Sequence, residues 1–280
     1  MKFIKGGTTM PKLHMLHSVT DTINTSFILQ SETSTIVIDG GFPTEAEYLY
    51  EYLKNLGGHV DCWYLTHIHD DHVSAMTKIA EEHPDIKIDR VCCNFPAGEL
   101  IDQWEPMQGK VTSSAVRAWV FDTLAEKNIP VITPKCGDVH NYDGYSVRVL
   151  RDPHEELCNN INDSSLVYRV TIGEASILFL GDLGVAGGKQ LLADTDPALL
   201  KADYVQMAHH GQNGVSRDVY EAIKPSYCLW CTPTWLWDNM GPGGYDTNQF
   251  KTVVVRGWMS EIGGIKRHYK MQEGDHIIEL

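Results

Sequence analysis

The segment Thr66-His67-Ile68-His69-Asp70-Asp71-His72 narrows what this chain can fold into more than any other stretch. It follows the short apolar run from Cys62 to Leu65, which reads as a buried strand. On an extended segment, side chains two residues apart point the same way, so His67 and His69 can grip one ion together. Asp71 and His72 then open a helix, where the chain reverses and both can face a second ion close by. Three imidazoles and a carboxylate packed this tightly suit zinc, which takes nitrogen and hard oxygen ligands. The competing reading is a solvated polar loop that happens to hold histidines. The placement behind a strand favours the metal reading.

Two later strand ends carry related groups. Phe179-Leu180-Gly181-Asp182-Leu183-Gly184 sets an aspartate between glycines at the end of an apolar run, and Met207-Ala208-His209-His210-Gly211 sets a histidine pair at another. Each alone is ordinary turn punctuation. All three clusters sit where a strand emerges, the usual place for sites in layered α/β proteins. Their joint occurrence in this order carries the inference.

The remaining sequence supplies a frame for them. Strands are expected over 26–30, 35–39, 62–65, 86–92, 145–150, 165–171, 175–180, 204–208, 227–230, 265–269 and 276–279. Helices are expected over 43–56, with Thr44 as cap and Gly57-Gly58 as stop, and over 76–82, 113–127, 189–193, 217–223 and 248–259. A chain of 280 residues, 42% hydrophobic, buries roughly three quarters of its unfolded surface and needs no staple to hold a core. Neither a Pro/Ser-rich linker nor a fixed-period repeat interrupts it. The expectation is one α/β domain over residues 1–280, with two sheets packed face to face and helices outside.

Charge and cysteine usage bound the partners. Lys and Arg number 23 against 37 Asp and Glu, a net charge of −14. That argues against a basic nucleic-acid face and against an anionic membrane surface, and leaves a small-molecule substrate as the expected partner. No apolar run approaches the roughly 20 residues that span a bilayer, and no apolar segment follows Lys2 and Lys5 to make a secretory signal. The seven cysteines are irregularly spaced and read as reduced thiols in a cytoplasmic protein. Cys228 and Cys231 form a CxxC pair in a strand-like run, with no second pair to complete a zinc site. Buried small apolar residues are the better reading of them.

The motifs His67-x-His69-x-Asp71-His72, Gly181-Asp182 and His209-His210-Gly211 resemble those of the metallo-β-lactamase superfamily. Ile38-Asp39-Gly40-Gly41 is similar to that superfamily's first motif. The resemblance runs over about residues 20–280 and implies an αββα four-layer sandwich with a metal pair at one edge of the two sheets. With Asn162-Asp163-Ser164-Ser165-Leu166-Val167 added, the pattern is most similar to the phosphorylcholine esterase branch and to the hydrolase domain of DNA-uptake proteins. It implies His67 and His69 on a first metal and Asp71 and His72 on a second. Asp182 would bridge the two, and one of His209 or His210 would complete the second site. His209 is the preferred ligand because it follows the strand, which leaves His210 as proton donor or as support for a ligand. Catalytic work is expected of Asp71 and His210, and Asp39 is expected to orient a ligand histidine. His154, after Arg151-Asp152-Pro153, is the candidate for a further ligand to the first metal, although the Pro153 turn equally allows it to face solvent. Val73-Ser74-Ala75 departs from the glycines many relatives have there, which bears on helix packing.

The resemblance implies a metal-dependent hydrolase. Two divalent ions, zinc first and manganese or iron as alternatives, hold a bridging hydroxide when about 3.5–4 Å apart. A phosphodiester or phosphoester is the expected substrate. A carboxylic ester or lactone is the runner-up, and a non-catalytic metal-binding member is the contrasting class. β-Lactamases of the superfamily commonly break the Asp71-His72 pattern, and its oxidoreductases usually carry Glu where His69 stands, so neither activity is expected. Trp235, Trp237 and Tyr245 lie in an aromatic, glycine-rich tail that either stacks on the substrate or packs as C-terminal core.

Overall fold

A computed structural model of the chain describes residues 10–106, 111–153, 158 and 160–280. Its first half holds strands β1 (Lys12–Met15), β2 (Ser26–Gln30), β3 (Thr35–Asp39), β4 (His59–Val60), β5 (Cys62–Tyr64), β6 (Lys87–Ile88), β7 (Val91–Cys92) and β8 (Val131–Ile132). The second half holds β9 (Val139–Tyr142), β10 (Tyr145–Arg151), β11 (Val167–Ile172), β12 (Ala175–Phe179), β13 (Tyr204–Gln206), β14 (Tyr227–Trp230), β15 (Arg267–Lys270) and β16 (His276–Glu279). Helices α1 (Ala46–Asn55), α2 (Asp70–Glu82), α3 (Gly98–Trp104) and α4 (Ser113–Glu126) belong to the first half. Helices α5 (Val185–Asp194), α6 (Pro197–Leu200), α7 (Arg217–Ile223), α8 (Thr234–Trp237) and α9 (Thr252–Ile262) belong to the second.

The strands form two large sheets, ordered β16-β1-β2-β3-β5-β7-β8 and β15-β14-β13-β12-β11-β10-β9, with β4 and β6 paired separately. Each large sheet is antiparallel on one side and parallel on the other. The parallel pairs β3/β5 and β12/β13 therefore end together, with their carboxyl ends on one rim of each sheet.

Alternation along the strands builds the layers. Phe27, Leu29, Ile36 and Ile38 face the other sheet and pack with Val147, Val170, Ile177 and Phe179. Between them, Ile28 and Val37 point the opposite way, into an outer core with Leu49 and Leu53 of α1, Met76 and Ile79 of α2, and Val120 of α4. The second sheet repeats this, burying Leu178, Val205 and Cys228 under Leu191 of α5, Val219 and Ile223 of α7, and Met259 of α9. A strand covered on both faces reads as an unbroken apolar run, which is why Thr35–Asp39 is legible as a strand although all five residues are buried. The result is the expected αββα four-layer sandwich. Phe27 and Phe179 meet edge to face at 5.0 Å across the middle of it.

Several boundaries differ from the sequence expectation. The run 86–92 is two strands: Lys87–Ile88 pairs with β4 and Val91–Cys92 with β5, and Asp89-Arg90 turns the corner between them. The helix expected over 76–82 starts at Asp70, where acidic residues in the first turn suit the helix dipole. Thr44 caps nothing, because Pro43–Glu45 is a short 3₁₀ turn feeding α1. The last long helix begins at Thr252 instead of Asn248, and α3 is an addition. Val73 and Ala75 fill the outer core, and Cys228 and Cys231 fall into two different cores as small buried groups. No disulfide joins the seven cysteines. Among the described residues no helix is long and apolar enough to cross a membrane.

Phe27 is fully buried where the sheets meet, and truncating such a ring costs about 3–5 kcal/mol. Phe27→Ala should lower unfolding free energy by that amount in urea titration. A loss under about 1 kcal/mol would show that the inter-sheet core is not packed as described.

Candidate metal centre

Four strand ends deliver the site. Asp39 closes β3, the His67–His72 segment leaves β5, Gly181-Asp182 leaves β12 and His209-His210 leaves β13. The two sheets are tied to each other at this rim. Leu166 N donates to Thr66 O at 2.9 Å and the Tyr168 hydroxyl to Leu65 O at 3.0 Å, while within the second sheet Asp182 N donates to Ser165 Oγ at 3.2 Å. Gly181 has φ 56°, and a Cβ there would stand 2.9 Å from Thr66 Cβ and 3.0 Å from Ser165 Oγ. Only glycine lets the second sheet's aspartate come this close to the first sheet's histidines.

Asp39 is completely buried and sits in left-handed backbone, φ 56°. Its Oδ1 accepts from Thr66 N at 2.8 Å, and its Oδ2 from the Thr66 hydroxyl at 2.9 Å and His72 Nδ1 at 2.8 Å. Because Nδ1–H of His72 donates to this carboxylate, the lone pair of the neutral ring is on Nε2. The Thr66 hydrogen is committed to Asp39, so its oxygen accepts from His67 Nδ1 at 3.1 Å, and His67 too presents Nε2. His210 Nδ1 donates to Cys231 O at 3.2 Å, with the Thr25 hydroxyl at 3.5 Å, and again leaves Nε2 inward. These tautomers follow from the hydrogen-bond network.

The inward nitrogens meet carboxylates. His72 Nε2 lies 3.1 Å from Asp182 Oδ1, His210 Nε2 2.9 Å from Asp71 Oδ2 and 3.4 Å from Asp182 Oδ2, and His67 Nε2 3.8 Å from Asp182 Oδ2. Yet His72 Nε2, His210 Nε2 and Asp182 Oδ1 are buried without a hydrogen-bond partner. With the imidazoles neutral, lone pairs and carboxylate oxygens converge with no donor among them. Such a set costs several kcal/mol to bury unless a cation fills it, so the residues fit a metal. At this rim two groups of ligand atoms lie, each within 4.8 Å: Asp71, His72, Asp182 and His210, and His67, His69 and Asp182. Asp182 belongs to both.

Ionisation follows the same demand for positive charge. Burial works against a charged His210, but Asp182 and Asp71 overcome it and raise the ring to about 9. His72 is likewise buried, and Asp182, Asp39 and Asp71 hold it well above the usual histidine range. Burial disfavours the Asp182 and Asp71 carboxylates, but the surrounding imidazoles outweigh it and keep both acids below their ordinary values. Burial dominates at His67, with His72 adding to it, and that ring is pushed well below its usual value.

The preference for His209 over His210 does not match the geometry. Strand β13 stops at Gln206, and both histidines adopt left-handed backbone, φ 52° and 54°, which swings the second ring inward. His210 is fully buried in the ligand group, whereas His209 is 22% exposed with Nε2 3.7 Å from Asp182 Oδ2. His154 lies outside the described residues. Trp237 packs in the outer core, edge to face with Trp230 at 5.1 Å and beneath the Arg256 guanidinium at 4.2 Å. Trp235 donates from Nε1 to Asp21 O at 3.2 Å, on the connection that ends at Thr25 beside His210. Tyr245 is exposed. Sequence reasoning missed Glu105, whose carboxylate lies 3.0 Å from His69 Nε2, and Gln206, which donates to Gly181 O at 3.1 Å. Nothing local marks Glu105, 36 residues away in the chain. Gln206 carries a signal, being a polar residue inside the apolar run from Tyr204 to Ala208.

Comparison with known proteins bears on the same rim. YhfI of Bacillus subtilis, a metallo-beta-lactamase fold protein, superposes with a TM-score of 0.54 at 11% identity, covering 96% of this chain and 99% of its own. CmlA of Streptomyces venezuelae, a diiron beta-hydroxylase, superposes with a TM-score of 0.54 at 13% identity over 99% of this chain, which spans 55% of CmlA. At such identities the likeness concerns the fold. No curated protein matches the sequence. The family model, by contrast, matches residues 19–226, a stretch that contains every strand end feeding the centre. Motif order, layered architecture and family match thus agree, and the chain belongs to the metallo-beta-lactamase superfamily.

Proposed function

We propose that this chain is a metal-dependent hydrolase with a dinuclear centre that cleaves a phosphodiester or phosphoester. The observation that carries the reading is Asp182, a buried carboxylate shared by two ligand groups. His67 Nε2, His69 Nδ1 and one Asp182 oxygen would hold the first ion. Asp71, His72 Nε2, His210 Nε2 and Asp182 would hold the second. Bound there, two divalent ions, zinc by ligand type with manganese or iron as alternatives, supply Lewis-acid polarisation and an activated water near neutral pH.

The protein's own groups do the rest. Asp39 keeps His72 in the tautomer that ligates, and Cys231 O does the same for His210. His209 faces both Asp182 and solvent, and we assign it to the substrate's oxygen. Trp235 stands on the connection beside His210 and is the aromatic rim residue, while Trp237 is structural. The phosphoester preference rests on the motif resemblance, with His69 in the position that redox relatives usually give to Glu. A small-molecule substrate and a cytoplasmic location, fitting the acidic surface and thiol usage, complete the proposal.

Asp182→Ala should lose both ions by elemental analysis and reduce hydrolysis of bis-p-nitrophenyl phosphate to the level of chelator-treated protein. Retained turnover would remove the site assignment. A loaded enzyme active on ester or lactone panels and inert on phosphoesters would overturn the substrate class. Asp39→Asn should cost about 10–100-fold in metal affinity or rate, measured by chelator competition; an unchanged value would deny Asp39 its orienting role.

A further inference from the structure

His69 is held differently from the other imidazoles of the centre. Its Nδ1 lies 3.0 Å from His67 Nε2, while Nε2 points outward to Glu105 Oε1 at 3.0 Å and Oε2 at 3.3 Å. An ionised carboxylate only accepts, so the proton of the ring belongs on Nε2 and the lone pair on Nδ1, beside the lone pair of His67. Glu105 is itself oriented: the Ser113 hydroxyl donates to Oε2 at 3.1 Å, from the first turn of α4. The Thr112 hydroxyl caps that helix by accepting from Ala115 N at 3.1 Å.

Resting on the dinuclear reading, we infer that Glu105 is the positioning residue of the first metal site, the carboxylate that fixes His69 in its ligating tautomer. The two sites are then supported unequally. Asp39 and His72 are both fully enclosed, with no exposed side-chain surface. The Glu105 and His69 side chains are 37% and 21% exposed, and Glu105 comes from the end of α3, outside the sheets. Water competes for this outer pair and not for the inner one. The first ion is therefore the exchangeable one, and its affinity depends on how α3 and α4 are docked.

The test is zinc binding to the intact chain, read by stoichiometry and by competition with a chromophoric chelator. Wild-type protein should bind two Zn²⁺ ions. Glu105→Ala should weaken one of them by about 10–100-fold and leave the other within error. Glu105→Gln, whose amide oxygen still accepts from Nε2, should restore most of the loss. The thermal midpoint of the metal-free protein should match wild type, because an effect through general folding would weaken both ions together. Two ions bound as tightly by Glu105→Ala as by wild type would overturn the inference and leave the dinuclear reading standing. Equal loss of both ions, or no recovery in Glu105→Gln, would also overturn it. Wild-type protein that binds fewer than two ions would bring down the dinuclear reading, and the inference with it.

Discussion

The rim of this sandwich answers to one electrostatic demand: a buried carboxylate, Asp182, faces imidazole nitrogens and a second carboxylate, with no hydrogen donor between them while the rings are neutral. Water cannot relieve this, because His67, His72, His210 and Asp182 have almost no exposed side-chain surface. Without an ion, the demand is met by protons, which is why His72 and His210 are raised while Asp71 and Asp182 are lowered. With ions bound, the same groups would serve as ligands and the extra protons would leave.

The fold makes this arrangement affordable by spreading its cost. Left-handed backbone at Asp39, His209 and His210 stores of order 1–3 kcal/mol each. Three apolar cores and the cross-sheet bonds Leu166–Thr66 and Tyr168–Leu65 hold those positions against relaxation. Because β3 and β5 end beside one another, as do β12 and β13, a carboxylate from one sheet can meet histidines from the other without a long loop. Shape is set by the cores, and the chemistry stands where the cores stop.

Much of this was legible in the residues. The two-residue alternation in His67-Ile68-His69 places both rings on one side and Ile68 in the outer core, as found. The buried strands announce themselves through β-branched runs, and Asp39 through the likeness of Ile38-Asp39-Gly40-Gly41 to the superfamily's first motif. What escaped depends on backbone or tertiary detail. Which of two adjacent histidines turns inward is decided by left-handed dihedrals that neither residue type advertises. The split of 86–92 depends on which neighbours β6 and β7 find, and the contact between Glu105 and His69 on how α3 and α4 dock. Trp237 resembles a binding aromatic in sequence and is packing in space, because Trp230 and Arg256 enclose it.

The proposed centre requires two cations that share Asp182. Anomalous diffraction at the metal edge from crystals grown with zinc addresses it directly. Two peaks are expected, one among Asp71, His72 and His210 and one between His67 and His69, each in contact with an Asp182 oxygen. A single peak, or none at full zinc saturation, would contradict it.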